Sequence, residues 1–260
     1  MAARMPVVFV SHGAPDALLK APDAVACWRE IGRQAPAPAA VLAVSAHWQA
    51  RHATLSLAGA PETIHDFSGF DPALHRMRYP APGAPALAER AASLIRAAGM
   101  AVELHPQRGL DHGAWVPLSA MFPQANVPVT QLSLTRHGGP AAHLALGRAL
   151  APLREEGVLI LASGAITHNF DWLDWRGAAA PSPQARAFSD WVGERLAEGN
   201  DAALLEYRSR PEGAAAHPTD EHFLPLFVAL GAAAGETPAR HQPGFAYGGL
   251  SMDAYVWQPH

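Results

Sequence analysis

Five histidines occur where a predicted strand or turn ends, each within a short apolar or glycine-containing stretch. They are His12, His47, His112, His168 and His222. Imidazole is the commonest metal ligand among side chains, and it also exchanges protons near neutral pH. Cys27 is the only cysteine, which excludes an intrachain disulfide and any cluster held by several thiolates. Metal ligands would therefore be histidines and carboxylates, and the residue types predict a metal-centred active site.

Three of these histidines follow apolar segments that are typical of buried strands. In open α/β sheets, ligands bind in the crevice beyond the carboxyl ends of the strands. We therefore expect the three imidazoles to converge at one edge of a sheet. The strands and the histidines that follow them are residues 7–10 with His12, residues 41–45 with His47, and residues 158–162 with His168.

Helix-like and strand-like segments alternate along the chain. This alternation predicts an α/β fold, a single domain with a mostly parallel or mixed central sheet and helices on both faces. Residues 177–183 are linker-like, but the composition is similar on either side, so we predict a loop and one catalytic domain over residues 1–260. The remaining predicted elements are helices at 23–33, 86–98, 140–153 and 183–196, and strands at 54–57, 101–104 and 127–134.

The C-terminal part of the chain contributes two further candidates. Residues 218–222 are predicted to open a helix, because Thr219 can serve as the N-cap and apolar residues recur at helical spacing from Phe223. His222 would then lie on the first turn, at the rim of a pocket. Residues 248–257 are predicted to form a closing strand with Ser251 at a turn.

Composition limits the classes of partner. The chain has 260 residues, 49% hydrophobic content and a formal net charge of −4, without a basic tract or a long block of like charge. These features disfavour nucleic acid and membrane surfaces as partners and favour a small-molecule substrate. The N-terminus lacks the apolar segment of a signal peptide, which predicts a cytoplasmic enzyme. No feature of the sequence specifies an oligomeric state.

Seven short motifs, taken together and in order, make the chain similar to a known family. The sequence resembles the class III extradiol ring-cleavage dioxygenases, and within them the branch that acts on DOPA. A single Ser-His-Gly would be a weak signal, whereas seven motifs in sequence are hard to obtain by accident. The motifs are SHGAP at 11–15, SAHW at 45–48, HDFSGF at 65–70, LDHGAW at 110–115, GAITHN at 164–169, HFLPL at 222–226 and SM at 251–252.

The resemblance implies a set of metal ligands. His12 and His47 match the family's two metal-binding histidines, and His222 matches the third ligand of the DOPA-like branch. Better-known members of the family have a glutamate at the third position, which leaves Glu221 as an alternative. His168 matches the family's acid/base histidine, and it could also approach the metal as a fourth ligand in a zinc-loaded form.

The resemblance also implies an activity. The enzyme would open the ring of a catechol, DOPA or a related catecholic acid, with both atoms of O2, giving a muconic semialdehyde. His168 and His112 are the candidates for removing protons from the diol. His65 and Asp66 would line the substrate pocket, and Ser251 could contact a substrate hydroxyl or carboxylate.

The metal and the reaction class are linked. An all-histidine ligand set suits one divalent ion, either Fe(II) or Zn(II), but zinc is redox-inert and cannot relay electrons to O2. The dioxygenase reaction therefore requires Fe(II), even if Zn(II) is bound in a purified sample. A zinc-dependent hydrolase that uses the same histidines to activate water is the alternative, and a non-catalytic metal-binding protein is a third class.

Overall fold

The structure is a computed structural model that describes residues 4–177 and 180–259. Its strands are β1 (Val7–Ser11), β2 (Ala40–Ala50), β3 (Ala53–Ser56), β4 (Val102–His105), β5 (Val129–Thr135), β6 (Val158–Gly164), β7 (Ala239–His241), β8 (Phe245–Ala246), β9 (Leu250–Ser251) and β10 (Ala254–Trp257). Its α-helices are α1 (Ala17–Lys20), α2 (Pro22–Gln34), α3 (Pro85–Ala97), α4 (His112–Met121), α5 (Gly139–Leu150), α6 (Pro183–Ala197), α7 (Asp201–Leu205), α8 (Pro211–Ala216) and α9 (Leu224–Ala233).

Eight strands form one mixed sheet in the order β4-β3-β5-β2-β6-β1-β10-β7. The four central strands β5, β2, β6 and β1 are parallel to one another. Antiparallel pairs flank this centre, because β3 runs against β5 and β10 runs against β1. The carboxyl ends of the central strands therefore meet at one edge, as the sequence predicts for the histidines that follow them.

Helices cover both faces of the sheet, and each face has its own apolar core. On one face α3, α5, α6 and α9 pack on the sheet through side chains such as Leu144 and Phe227. On the other face α2 and α4 bury Trp28 and Trp115, neither of which is exposed to solvent. The predicted single-domain α/β fold with a mixed sheet is confirmed.

Strand β2 continues beyond the point where the sequence predicts its end. The prediction placed His47 after the strand, whereas β2 extends to Ala50 and includes it. The pairing of β2 with β5 shifts register between Val44 and Gln49. This irregularity resembles a β-bulge, which changes the direction of the side chains along a strand. His47 can therefore lie within a strand and still face the edge of the sheet.

The helix near the C-terminus begins later than predicted. Helix α9 starts at Leu224, with Phe223 at the N-cap, so the predictions of an N-cap at Thr219 and of His222 on the first turn are wrong. Pro225 explains the difference, since proline fits the first turn of a helix but would break a hydrogen bond further inside one. His222 lies in the turn before α9, where it is 5% exposed and lines a cleft in the surface.

Two other segments differ from expectation. Helix α4 was not predicted, because it contains Gly113 and Pro117 and is buried on nearly every side, which removes the amphipathic pattern. The predicted closing strand is two short strands, and Ser251 lies within β9 rather than at a turn. Residues 178 and 179 of the predicted loop lie outside the described residues. No helix in the described ranges combines the length and the apolar character needed to cross a membrane.

Candidate metal centre

Three imidazoles from distant parts of the chain converge at the carboxyl edge of the central strands. His12 directly follows β1, His47 lies near the end of β2, and His222 lies in the turn before α9. The Nε2 atom of His47 is 3.0 Å from Nε2 of His12 and 3.3 Å from Nε2 of His222. One nitrogen from each ring lies within 4.8 Å of the other two, so the three could share one ion.

Hydrogen bonds on the outer nitrogens fix the tautomers of two of these rings. His12 Nδ1 is 2.9 Å from Ser163 Oγ, which donates its own hydrogen to the carbonyl oxygen of Gly113. His12 Nδ1 must therefore be the donor in this pair. His222 Nδ1 donates to Oε1 of Glu221 at 2.9 Å. Both rings consequently direct an unprotonated Nε2 toward His47, the arrangement that metal-binding histidines adopt.

The spacing and the protonation of this cluster fit a divalent ion. Nitrogens about 2.1 Å from a first-row ion lie about 3.0 Å apart at a right angle and about 3.4 Å apart at a tetrahedral angle. The two measured separations fall in this range. Without an ion, Nε2 of His47 carries at most one hydrogen, whereas Nε2 of His12 and Nε2 of His222 both present lone pairs to it, so one of these two nitrogens would lack a donor. A cation satisfies all three nitrogens.

Burial keeps these ligands neutral, as metal binding requires. Desolvation, followed by the neighbouring imidazoles, holds the pKa of His12 and of His222 well below the ordinary range. Burial and His112 lower the pKa of His47 to about 3, although the carboxylate of Asp66 acts in the opposite direction. At neutral pH all three rings therefore present lone pairs rather than charges.

His112 and Asp66 form a second group beside His47. His112 is the first residue of α4, and its Nδ1 lies 3.0 Å from Oδ1 of Asp66. The backbone N–H of His112 donates to the same oxygen at 3.0 Å. Burial raises the pKa of the Asp66 carboxyl, but contacts with His112 and His47 outweigh it and bring the pKa to about 2. A carboxylate that stays charged can orient His112.

His168 lies beside His222. Its ring stacks on His222 with a centroid separation of 3.5 Å and an angle of 8° between the planes. Burial lowers the pKa of His168, so the ring is neutral at pH 7. His168 is not in the group of His12, His47 and His222, but one of its nitrogens lies within 4.8 Å of ligand atoms of Glu221 and His222.

The structure does not bring His65 and Ser251 into the cluster. His65 packs against Phe67 and Trp115, each 5.8 Å away between ring centroids, and its Nε2 is 3.0 Å from the carbonyl oxygen of Met77. Ser251 is fully buried, and its hydroxyl pairs with Ser189 at 2.9 Å. The predicted contact between Ser251 and substrate stays a prediction, and in this structure the hydroxyl is engaged with Ser189.

Sequence reasoning missed the residues that support the histidines. Ser163 orients His12 from 151 positions away along the chain. Asp111, fully buried at the N-cap of α4, accepts hydrogen bonds from Ser45 Oγ at 2.6 Å and from the side chain of Gln131. These bonds fix the start of α4 and hence His112. The LDHGAW motif includes Asp111, but its partners are visible only in the fold.

Comparisons with known proteins agree with this geometry. A family model described as the catalytic LigB subunit of aromatic ring-opening dioxygenase matches residues 5–256. The chain is 39% identical over 254 residues to 4,5-DOPA dioxygenase extradiol of Escherichia coli (strain K12), with 96% of this chain and 93% of that protein covered. It is 40% identical over 233 residues to the protein of the same name from Beta vulgaris, with 86% and 85% covered.

A solved structure extends the similarity to three dimensions. The crystal structure of an uncharacterised protein from Escherichia coli K12 matches with a TM-score of 0.81 at 35% identity, and the match covers 98% of this chain and 100% of that chain. The chain therefore belongs to the LigB family of class III extradiol dioxygenases. It is a metal-dependent extradiol ring-cleavage dioxygenase. The predicted alternative, a zinc-dependent hydrolase, is therefore wrong.

Proposed function

We propose that the chain, as one catalytic domain over residues 1–260, opens the ring of a catechol that carries an acidic side chain, DOPA or a close analogue, to give a muconic semialdehyde. The ligands of the metal are His12, His47 and His222, and the working ion is Fe(II). The observation that carries the proposal is the convergence of three Nε2 atoms, two of them held unprotonated by Ser163 and Glu221.

Bound Fe(II) would supply the redox chemistry that couples a catecholate to O2, which Zn(II) cannot do. The side chains of the site supply proton transfer. His112 Nδ1 lies 3.0 Å from Oδ1 of the Asp66 carboxylate, which leaves Nε2 as the nitrogen for proton exchange with a substrate. That nitrogen can accept a proton from a catechol hydroxyl, and Asp66 then stabilises the resulting imidazolium.

His168 is the second proton-transfer group in this proposal. The depressed pKa keeps the ring neutral, so it can take the proton of the other hydroxyl and return it during ring opening. Stacking on His222 fixes the plane of the ring beside the metal ligands. One base beside His47 and one beside His222 match the two protons that a chelating catechol must lose.

Reconstitution with Fe(II) under anaerobic conditions tests the proposal. Addition of DOPA or hydrocaffeate and then O2 should consume one O2 per catechol and produce a yellow ring-fission chromophore, whereas protein loaded with Zn(II) should produce neither. Product formation by the zinc-loaded protein, or no O2 uptake by the iron-loaded protein with any catechol in a panel, would contradict it.

His168→Ala provides a second arm of this test. The variant should keep its iron and slow single turnover by about 10²-fold or more, as expected for loss of a general acid/base. His137→Ala removes an exposed imidazole outside the cluster and is the matched control. Unchanged turnover in His168→Ala would remove this residue from the mechanism.

A further inference from the structure

A cleft of about 500 Å³ opens beside two of the proposed metal ligands and contains cationic side chains that the mechanism does not use. His47 and His222 form one end of this cleft. Trp48, Arg108, Arg136 and Glu221 contribute to the rest of its lining. A ligand chelated at the three imidazoles could therefore extend a substituent toward two guanidinium groups.

Arg136 is the less engaged of the two arginines. It directly follows β5, and its backbone N–H donates to the carbonyl oxygen of Ala50 at 3.0 Å, which ties it to the end of β2. In the described part of the chain, its guanidinium makes no hydrogen bond, ion pair or ring contact. An exposed cation anchored by its backbone near His47 and without a partner is available to a ligand.

Arg108 is positioned by an aromatic ring. Its guanidinium carbon lies 5.3 Å from the centroid of Trp48, and NH2 lies 3.3 Å from Oδ2 of Asp111. Asp111 already accepts hydrogen bonds from Ser45 and Gln131, so Arg108 is only one of several donors to it. Nε of Arg108 is buried and has no partner among the described residues. The side chain is therefore oriented and still has unused donor capacity.

The carboxylate in the cleft does not neutralise both cations. Glu221 Oε1 accepts hydrogen bonds from Thr219 Oγ1 at 3.0 Å and from His222 Nδ1 at 2.9 Å. It is committed to holding the tautomer of His222. Arg108 also has Asp111 as an ion-pair partner, so Arg136 is the cation of the cleft that has no carboxylate partner among the described residues. Guanidinium groups match the planar geometry of a carboxylate.

We infer that Arg136 and Arg108 bind the carboxylate on the side chain of the aromatic diol and so determine the specificity of the enzyme. This inference rests on the proposed function, because it assumes that the diol end of the ligand is held at the metal. The substrate class it names is a catechol whose ring carries a short side chain that ends in a carboxylate.

Ligand binding to the zinc-loaded protein tests the inference without turnover. Isothermal titration calorimetry compares hydrocaffeate with its primary amide, which has the same ring and chain but no charge. Wild-type protein should bind the acid more tightly. Arg136→Gln and Arg108→Gln should each weaken binding of the acid by about 10- to 100-fold, the effect of losing a charged hydrogen bond, and change binding of the amide less than about twofold.

Arg29→Gln is the matched control, because Arg29 is an exposed arginine on α2 away from the cleft. With iron-loaded protein, Arg136→Gln should raise KM for the acid and leave KM for the amide unchanged. Equal affinity of wild-type protein for both ligands, or equal loss for both in Arg136→Gln, overturns the inference while catechol cleavage stands. Failure of the metal-loaded wild-type protein to bind either ligand contradicts the proposed function as well.

Discussion

At the scale of single residues, the proposed site depends on side chains that are not among the three proposed ligands. Ser163 and Glu221 each take the outer N–H of a histidine, and this leaves the inner nitrogen as a lone pair. Such outer partners are typically worth 10- to 100-fold in metal affinity. The sequence leaves Glu221 as an alternative ligand, and its hydrogen bond to Nδ1 of His222 favours a role in orienting that ring.

This division of roles predicts different outcomes for two adjacent substitutions. His222→Ala should abolish tight metal binding, since it removes one of three protein ligands. Glu221→Gln keeps an oxygen that can accept the Nδ1 hydrogen but removes the charge, so the metal should remain bound with about 10-fold weaker affinity. Competition with a chelator, followed by elemental analysis, measures both. Loss of the metal in Glu221→Gln together with retention in His222→Ala would show that the carboxylate is the ligand.

At the scale of secondary-structure elements, the turn before α9 must approach β6 closely. Ala165 donates its backbone N–H to the carbonyl oxygen of His222 at 2.8 Å. A Cβ atom at Gly164 would overlap that same carbonyl group, far inside van der Waals contact. Glycine at the end of β6 is therefore what allows the turn to deliver His222 to the cluster.

Gly164→Ala should disturb both stability and metal binding. The turn must move to make room, and overpacking of this kind typically costs about 1–3 kcal/mol in the free energy of unfolding. Because His222 moves with the turn, affinity for the metal should fall as well. Urea denaturation and metal titration measure the two effects. Gly59→Ala is the control, since a Cβ atom at Gly59 meets open space, and the idea fails if Gly164→Ala behaves like this control.

The elements also show which parts of the site could be predicted. The strands before His12 and His168 were recognisable because short apolar runs and the residues that end them are local features. The start of α9 was not, since local capping signals at Thr219 competed with Pro225, and the packing of the turn on β6 decides between them. Arg136 lines the cleft because of the register between β5 and β2, and no local sequence pattern encodes that register.

At the scale of the whole molecule, the burial of several neutral histidines links stability to pH. His217 is fully buried, donates from Nε2 to the carbonyl oxygen of Ile166 at 2.8 Å, and has a pKa that burial lowers to about 3. Burial also holds the pKa of His12 and His222 below the ordinary range. In the unfolded chain these imidazoles have pKa values near 6.5, so the unfolded state takes up protons first on acidification.

The metal-free protein should therefore lose stability as the pH falls from about 6.5 toward 3, and its stability should level off above about pH 6.5. For each buried histidine the slope approaches about 1.4 kcal/mol per pH unit. His217→Gln removes one of the protons taken up on unfolding, so the slope of stability against pH should fall by about 1.4 kcal/mol per pH unit. His137→Gln, at an exposed position, should leave the slope unchanged. Chemical denaturation across this pH range measures the slopes, and an unchanged slope in His217→Gln would contradict the linkage.

If one ion is shared by His12, His47 and His222, it must prefer this group to two others that could also hold a metal. Those groups are His47 with Asp66 and His112, and His168 with Glu221 and His222. A crystal structure of protein loaded anaerobically with Fe(II), with data collected at the iron absorption edge, distinguishes the three directly. We expect one anomalous peak about 2.1 Å from Nε2 of each of His12, His47 and His222. A peak centred on either of the other groups would contradict this expectation.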